Sequence, residues 1–390
     1  MRHDRIAGFG VGFAFCLAAG VVPIAAQDGV TRPIGIATSV ASSFHSWDGD
    51  AGSSGSQWFS TASVGIARAF QNGAALDLAL RTGYVTSSST TESGSGTVGA
   101  LIDTTLHAKL SLLDDPRYQP FLTFDVNLPT GKATLYGDQQ YAIMDRDLVP
   151  QDRLGEGFNA NPGVGVTIPL SDKWIASGGL GYNLRGSYVP NGDTSRTFDP
   201  GNQLIASAGL TFTDDRTLFS LTSIHSTEGA STLDDEDYFR PGASTVVSLQ
   251  FARSWAARHQ TRLSFSVNST KRNEFSDFFA GGFTEESQNS NSTVYQGSVG
   301  HVISLSDSLT LNGELGYLHR TRNDYAPESD FYTPAKEKIS FGLGAAYRIS
   351  DEISAVAGFE AFRLQQDATP YLGANTYTGA NVHASIDIGF

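Results

Sequence analysis

Apolar and polar residues alternate with a period of two over much of this chain. Leu76, Leu78, Leu80, Thr82 and Tyr84 share one side of a stretch whose other side holds Asp77, Ala79, Arg81 and Gly83. Ile102, Thr104, Leu106, Ala108, Leu110 and Leu112 likewise oppose Asp103, Thr105, His107, Lys109 and Ser111. Leu122, Phe124, Val126 and Leu128 oppose Thr123, Asp125 and Asn127, and Ile339, Phe341, Leu343, Ala345, Tyr347 and Ile349 oppose Ser340, Gly342, Gly344 and Arg348. Successive side chains of a strand point to opposite faces, so each stretch predicts a strand with one apolar and one polar face. The two faces separate poorly over 218–225 and 354–364.

The connections fall into two kinds. Short turns rich in Asp, Asn, Ser and Gly occur at 71–74, 113–117, 171–173, 213–216, 256–260, 306–308 and 350–352. Long polar loops occupy 45–57, 87–97, 129–158, 189–201, 226–244, 270–292, 321–336 and 365–380. Seven turns alternating with eight loops join sixteen strands, or fourteen if one hairpin is absent. An even strand count with connections sorted by length predicts an all-β fold, a transmembrane antiparallel up-and-down β-barrel. Its short turns would face the periplasm and its long loops the exterior. The apolar faces would meet lipid, and the polar faces, with Asp77, Arg81, Asp103, His107, Lys109, Asp125 and Arg185, would line the lumen. Aromatic residues near strand ends, including Phe44, Trp58, Tyr84, Trp174, Phe212, Trp255 and Tyr347, suit interfacial girdles.

Residues 1–26 read as a signal peptide: basic Arg2, His3 and Arg5, an apolar run over 6–22, then Ile24-Ala25-Ala26 before Gln27. The barrel would then occupy 27–390. The single cysteine, Cys16, lies inside the signal and follows Phe15, unlike a lipid-anchor site, so the mature chain would carry no disulfide. Beyond the signal no apolar stretch approaches the roughly 18 residues of a spanning helix, which leaves a barrel untouched. At the far end Val382, Ala384, Ile386, Ile388 and Phe390 alternate with polar or small residues up to the last position. A final strand closing on Phe390, with Ile386 and Ile388, resembles the C-terminal signal that outer-membrane barrels present to the barrel-assembly machinery.

A net charge of −14 argues against nucleic acid as a partner. No His/Cys cluster has metal-ligand spacing, no cofactor motif appears, and Gly-x-Gly pieces such as Gly163-Val164-Gly165 lie inside strands, where they would thin a crowded lumen wall. The sequence offers no defensible catalytic nucleophile, so the chain reads as a non-enzyme without cofactors. The run Leu233-Asp234-Asp235-Glu236-Asp237 lacks the interleaved turn residues of a calcium loop and reads as solvated loop.

The architecture resembles the general porins, whose third loop folds inward and narrows the pore. Here the third loop, 129–158, is the longest and carries Lys132, Asp138, Asp145, Arg146, Asp147, Asp152, Arg153 and Glu156. The resemblance implies a constriction in which these charges oppose Arg81, His107, Lys109 and Arg185 and select small permeants. The short motif usual in that porin loop is absent. Asn127-Leu128-Pro129-Thr130-Gly131-Lys132 resembles a phrase of outer-membrane transporters associated with aromatic-compound degradation, relatives of the fatty-acid channels. That likeness implies an apolar permeant, gathered by Phe275, Phe278, Phe279 and Phe283. The expectation is a porin-like channel in the bacterial outer membrane, in contact with lipid and lipopolysaccharide, of a size at which homotrimers are common. The alternatives are a facilitated channel for hydrophobic or aromatic compounds and a non-transport surface barrel, an adhesin or structural protein.

Overall fold

The computed structural model describes residues 34–390 except 51, 71–72, 114, 116, 191–195, 278–280 and 370–372. The signal-peptide expectation, and Phe278 and Phe279, lie outside the described residues. The barrel strands are β1 (Gly35–Gly49), β2 (Ser54–Ala69), β3 (Ala75–Thr91), β4 (Gly94–Leu101, resumed as Thr104–Ser111), β5 (Gln119–Leu128), β6 (Asn159–Pro169), β7 (Trp174–Arg185) and β8 (Gln203–Thr213). They continue as β9 (Thr217–Glu228), β10 (Ser244–Ala256), β11 (His259–Thr270), β12 (Val294–Ser304), β13 (Leu309–Arg320), β14 (Lys336–Arg348), β15 (Ile353–Gln366) and β16 (Asn375–Gly389). Each pairs antiparallel with its neighbours, and β16 returns to β1 in register from Ala37↔Gly389 to Gly49↔Tyr377. The result is a closed sixteen-stranded barrel with no exposed sheet edge. At the seam the Ile36 N–H donates to the Phe390 carbonyl and the Phe390 N–H to the Ile36 carbonyl.

Large apolar side chains point outward in a continuous belt. Val40, Leu80, Leu122, Leu180, Leu315, Leu343, Val382 and Ile386 are all exposed. In water such a belt would be a large unfavourable apolar surface; in a bilayer it is the solvated face. Exposed rings mark its rims: Phe44, Trp58, Tyr84 and Tyr317 toward the loops, Trp174, Trp255 and Tyr347 toward the turns. No helix among the described residues is long and apolar enough to span a membrane, and the crossing is made by strands.

Two sequence expectations are corrected. The loops expected at 45–57 and 87–97 are mostly strand, because β1–β2 and β3–β4 run on as tall hairpins through Asp48↔Ser54 and Thr91↔Gly94. Ile102 does not face lipid. Tyr84 pairs with Leu101 and Arg81 with Thr105, so two residues of β3 oppose three of β4. This bulge reverses the alternation, sending Leu101 outward at 51% exposure and Ile102 inward at 8%. The acidic run is solvent-exposed, as expected, but ordered: Asp234 and Asp235, both at positive φ, turn a hairpin between Ser231–Leu233 and Glu236–Arg240. That hairpin belongs to a small sheet built by the loops after β7, β9 and β11, in the order Gly282–Glu285, Glu274–Asp277, Glu236–Arg240, Ser231–Leu233, Phe198–Asp199. Phe239 packs on Phe275 within it, and the Arg240 guanidinium lies 4.5 Å from the Phe283 ring centre.

The interior is not packed like a soluble core. Its buried apolar residues gather in two clusters, and each joins the wall to the loop between β5 and β6.

Candidate functional site

That loop, 129–158, turns into the lumen instead of away from it. It begins at the β4 bulge. The Thr130 hydroxyl donates to the Ile102 carbonyl (3.0 Å) and accepts from the Thr104 N–H (2.8 Å). The Asp103 carboxylate accepts from the N–H groups of Gly131 (2.8 Å) and Glu156 (2.7 Å) and from the Asn127 amide (2.7 Å). The first and last legs of the loop are thus tied to one carboxylate. Gly131 is required there, since a Cβ would strike the Leu154 carbonyl. The phrase Asn127–Lys132 therefore has a local task, clasping the loop to the bulge.

From this clasp the loop passes a short 3₁₀ turn, Gly137–Ala142, and two apolar contacts hold it. Leu135, Ala142 and Leu154 bury against Val85, Val98 and Ile102 of β3 and β4. Met144, Leu148 and Val149 bury against Trp47, Phe362 and Leu364 of β1 and β15. Gln57 of β2, 1% exposed, spans the two contacts: its amide donates to the Gln151 carbonyl (2.8 Å) and to Ser87 (2.9 Å), and accepts from the Gln151 N–H. The far end is held by charge. The Arg320 guanidinium of β13 makes two hydrogen bonds to the Asp147 carboxylate, at 3.0 and 3.1 Å. Lys336 of β14 pairs with Asp145 and lies 3.9 Å from Asp147, and the Lys338 ammonium donates to the Asp147 carbonyl (2.8 Å). Burial pushes the Asp145 carboxyl up, but Lys336, the Asp147 N–H and Arg320 outweigh it and hold the group below the usual carboxylate range.

The loop's charges therefore divide by task. Asp145 and Asp147 fix it to the wall. Arg146 pairs with Asp152 and Arg153 with Glu156, both within the loop, and Lys132 donates to Gln139. Asp138 is exposed. On the wall, Asp145 and Asp147 contact Arg320, Lys336 and Lys338, bases the sequence reading did not single out. Those cations sit on the polar side of β13 and β14, where period-two reading puts a lumen residue, so the signal was present.

The expected wall residues form their own pattern. His107 is hydrogen-bonded to Asp125 on the next strand, and Lys109 sits opposite Asp77 in register. Arg81 lies 6.0 Å from the Phe59 ring centre and Lys109 4.8 Å from that of Phe121. Arg185 makes a buried ion pair with Glu228 of β9 at 2.8 Å. Asp103 serves the loop clasp. Lumen side chains also lie flat across glycines of neighbouring strands, Phe121 over Gly165, His383 over Gly358 and Phe362 over Gly379. The glycines keep the wall thin where a Cβ would push these rings toward the axis.

No protein-family model matches the chain, and neither does any curated protein. Solved structures do. OccAB3 of Acinetobacter baumannii aligns over 92% of this chain and 99% of its own, with 9% identity and a TM-score of 0.48. The toluene transporter TodX of Pseudomonas putida aligns over 92% and 90%, with 11% identity and a TM-score of 0.41. An outer membrane channel from Pseudomonas putida F1 aligns over 67% and 96%, with 13% identity and a TM-score of 0.42. At these identities and scores the likeness is one of general architecture.

Proposed function

We propose that the chain is an outer-membrane channel for passive diffusion of small solutes, with the loop 129–158 as its constriction. The observation that carries this reading is the path of the loop. It leaves the wall at β5, packs along the inward faces of β4, β3, β2, β1 and β15, and is pinned by ion pairs at β13 and β14, half the sheet away, so it takes up lumen space along half the wall. Sixteen strands enclose a lumen wide enough for water unless something fills it, and a docked loop leaves a narrowed passage beside itself. The polar wall favours hydrophilic permeants. The inward-pointing Trp47, Phe362 and Leu364 are covered by the loop.

The test is electrical. The chain from Gln27, refolded in detergent and inserted in a planar bilayer, should give stepwise ohmic openings. Deleting 134–153 should raise the unit conductance severalfold. A folded barrel that stays silent with and without the loop would turn the reading toward a surface protein whose exterior loops do the work.

A further inference from the structure

The half of the wall that the loop leaves uncovered differs chemically from the half it covers. Across β5 to β9 the lumen positions hold two registered runs, Asp125 with Asn161 and Asn183 with Gln203 and Glu228, side by side where the ladder between β6 and β7 lapses between Ala160↔Leu184 and Gly163↔Gly181. Asn159 stands one step nearer the loops on β6, opposite Asn127. The charges at both ends of this rung have partners, Asp125 hydrogen-bonded to His107 and Glu228 paired with Arg185 at 2.8 Å. What remains between them is carboxamide. Asn183 and Gln203 are 5% and 1% exposed, and the side-chain oxygens of Asn159, Asn161 and Asn183 are buried without a hydrogen-bond partner. Gln203 makes only a long contact, 3.4 Å, to Glu228. Buried amides normally find partners; Asn375 and Asn381 of β16 also lack one, but the three on β6 and β7 stand together on adjacent strands away from both apolar clusters, where a group entering the lumen could meet them.

We infer that this rung is a binding subsite for an uncharged, hydroxyl-rich solute of the sugar or polyol class; the inference rests on the channel reading. A carboxamide offers two donors and an acceptor on one flat group, and a turn about its last bond exchanges the edge it presents. Neighbouring strands repeat these groups at roughly 4.8 Å, a spacing that matches hydroxyls spread around a sugar ring. A hydroxyl can donate to one amide and accept from the next. An ion finds both terminal charges already paired, and a hydrocarbon would leave every amide unmet, the kind of mismatch by which polar sites reject apolar analogues.

The mature protein in detergent is titrated with the trisaccharide raffinose by calorimetry, and the same sugar is added to single channels in a bilayer. Wild type should bind saturably and show current interruptions that rise with raffinose, while benzoate produces none. Asn161→Leu/Asn183→Leu should lose affinity at least tenfold; Asn161→Ala alone, expected to lose severalfold, stands in if the double variant does not fold. Equal blockade of wild type and variant, or an open wild type that neither binds nor is blocked, overturns the subsite and leaves the channel reading standing. Raffinose binding by a barrel that passes no current supports the subsite and removes the channel reading.

Discussion

Replacing Asp147 with Asn should release the far end of the lumen loop. The Asp147 side chain is 4% exposed and Arg320 20%, and they share two hydrogen bonds at 3.0 and 3.1 Å. At this separation and an effective dielectric near 20, a unit charge pair is worth about 5 kcal/mol before desolvation. Removing one member of a buried pair costs about 3–5 kcal/mol, because the other charge stays buried and unmatched. The substitution keeps shape and the backbone contact of Lys338 to the Asp147 carbonyl, so the loss falls on the charge. Taking 3 kcal/mol as the lower figure, the ratio of docked to undocked loop falls by about two powers of ten. Packing of Met144, Leu148 and Val149 on Trp47, Phe362 and Leu364 opposes full release, so flicker between conductance levels is expected, not a permanently wide pore. Single-channel recording would resolve the levels, and limited proteolysis would show new cleavage near Asp145. Asp147→Leu/Arg320→Met, which removes both charges, should dock better than the single variant, since apolar replacement of a buried pair is often neutral or stabilising. Wild-type current and protease resistance in Asp147→Asn would refute the reasoning.

The acid response has a definite sign. The folded Asp145 carboxyl lies below its ordinary value of 3.8, so its contribution is complete above that pH and is lost as pH falls through the folded value; the loop should hold from pH 7 to about 4 and loosen below, and loosening between pH 7 and 5, seen in conductance, would mean another group is responsible. Leu106→Arg, on the outer face of β4, should destabilise the folded barrel by about 2–4 kcal/mol in a urea titration in lipid vesicles if it sits near the bilayer midplane, whereas the lumen change His107→Arg should cost much less, and equal costs would invert the assignment of faces. Gly165→Ala should force the Phe121 ring off the wall and lower unit conductance with little change in folding yield, and unchanged conductance would show that this ring does not border the pore.

The barrel was legible because strand burial in a bilayer depends only on parity. Leu76, Leu78 and Leu80 face out and Asp77 and Arg81 face in, whatever the rest of the chain does. The bulge was not legible. Leu101 and Ile102 are both apolar, so one extra residue leaves no mark in the composition. The faces of 354–364 looked mixed for a physical reason: Phe359 meets lipid on one side of β15, while Phe362 and Leu364 meet the loop on the other. Apolar loop residues Leu135, Met144, Leu148 and Leu154 follow no period, because an irregular segment docks by shape, so their partners could not be read from spacing. The small exterior sheet was hidden similarly, in strands of two to five residues inside polar loops.

Those hidden contacts share one logic. A lumen position on an open barrel strand has every reason to be polar, since it meets water. Large apolar residues that are buried on the inward face are therefore evidence of a cover, and the two clusters of them draw on β1, β3, β4 and β15, the strands against which the loop packs. Polar residues that point inward without partners are the opposite sign. Among the described residues they fall on β6 and β7, against which neither apolar cluster is built, and also on β16 at Asn375 and Asn381. The wall is thus divided by side-chain chemistry into a half made to hold the loop and a half made to meet whatever passes. The ion pairs at Arg320 and Lys336 stand at the border between the two. Loosening them changes how much of the lumen the loop blocks, and substitutions on β6 and β7 change what the remaining passage prefers. If the division is real, loop release should respond to Asp147, Arg320 and Lys336 and solute preference to the carboxamides of β6 and β7, and an Asn161 or Asn183 variant that released the loop would break the distinction.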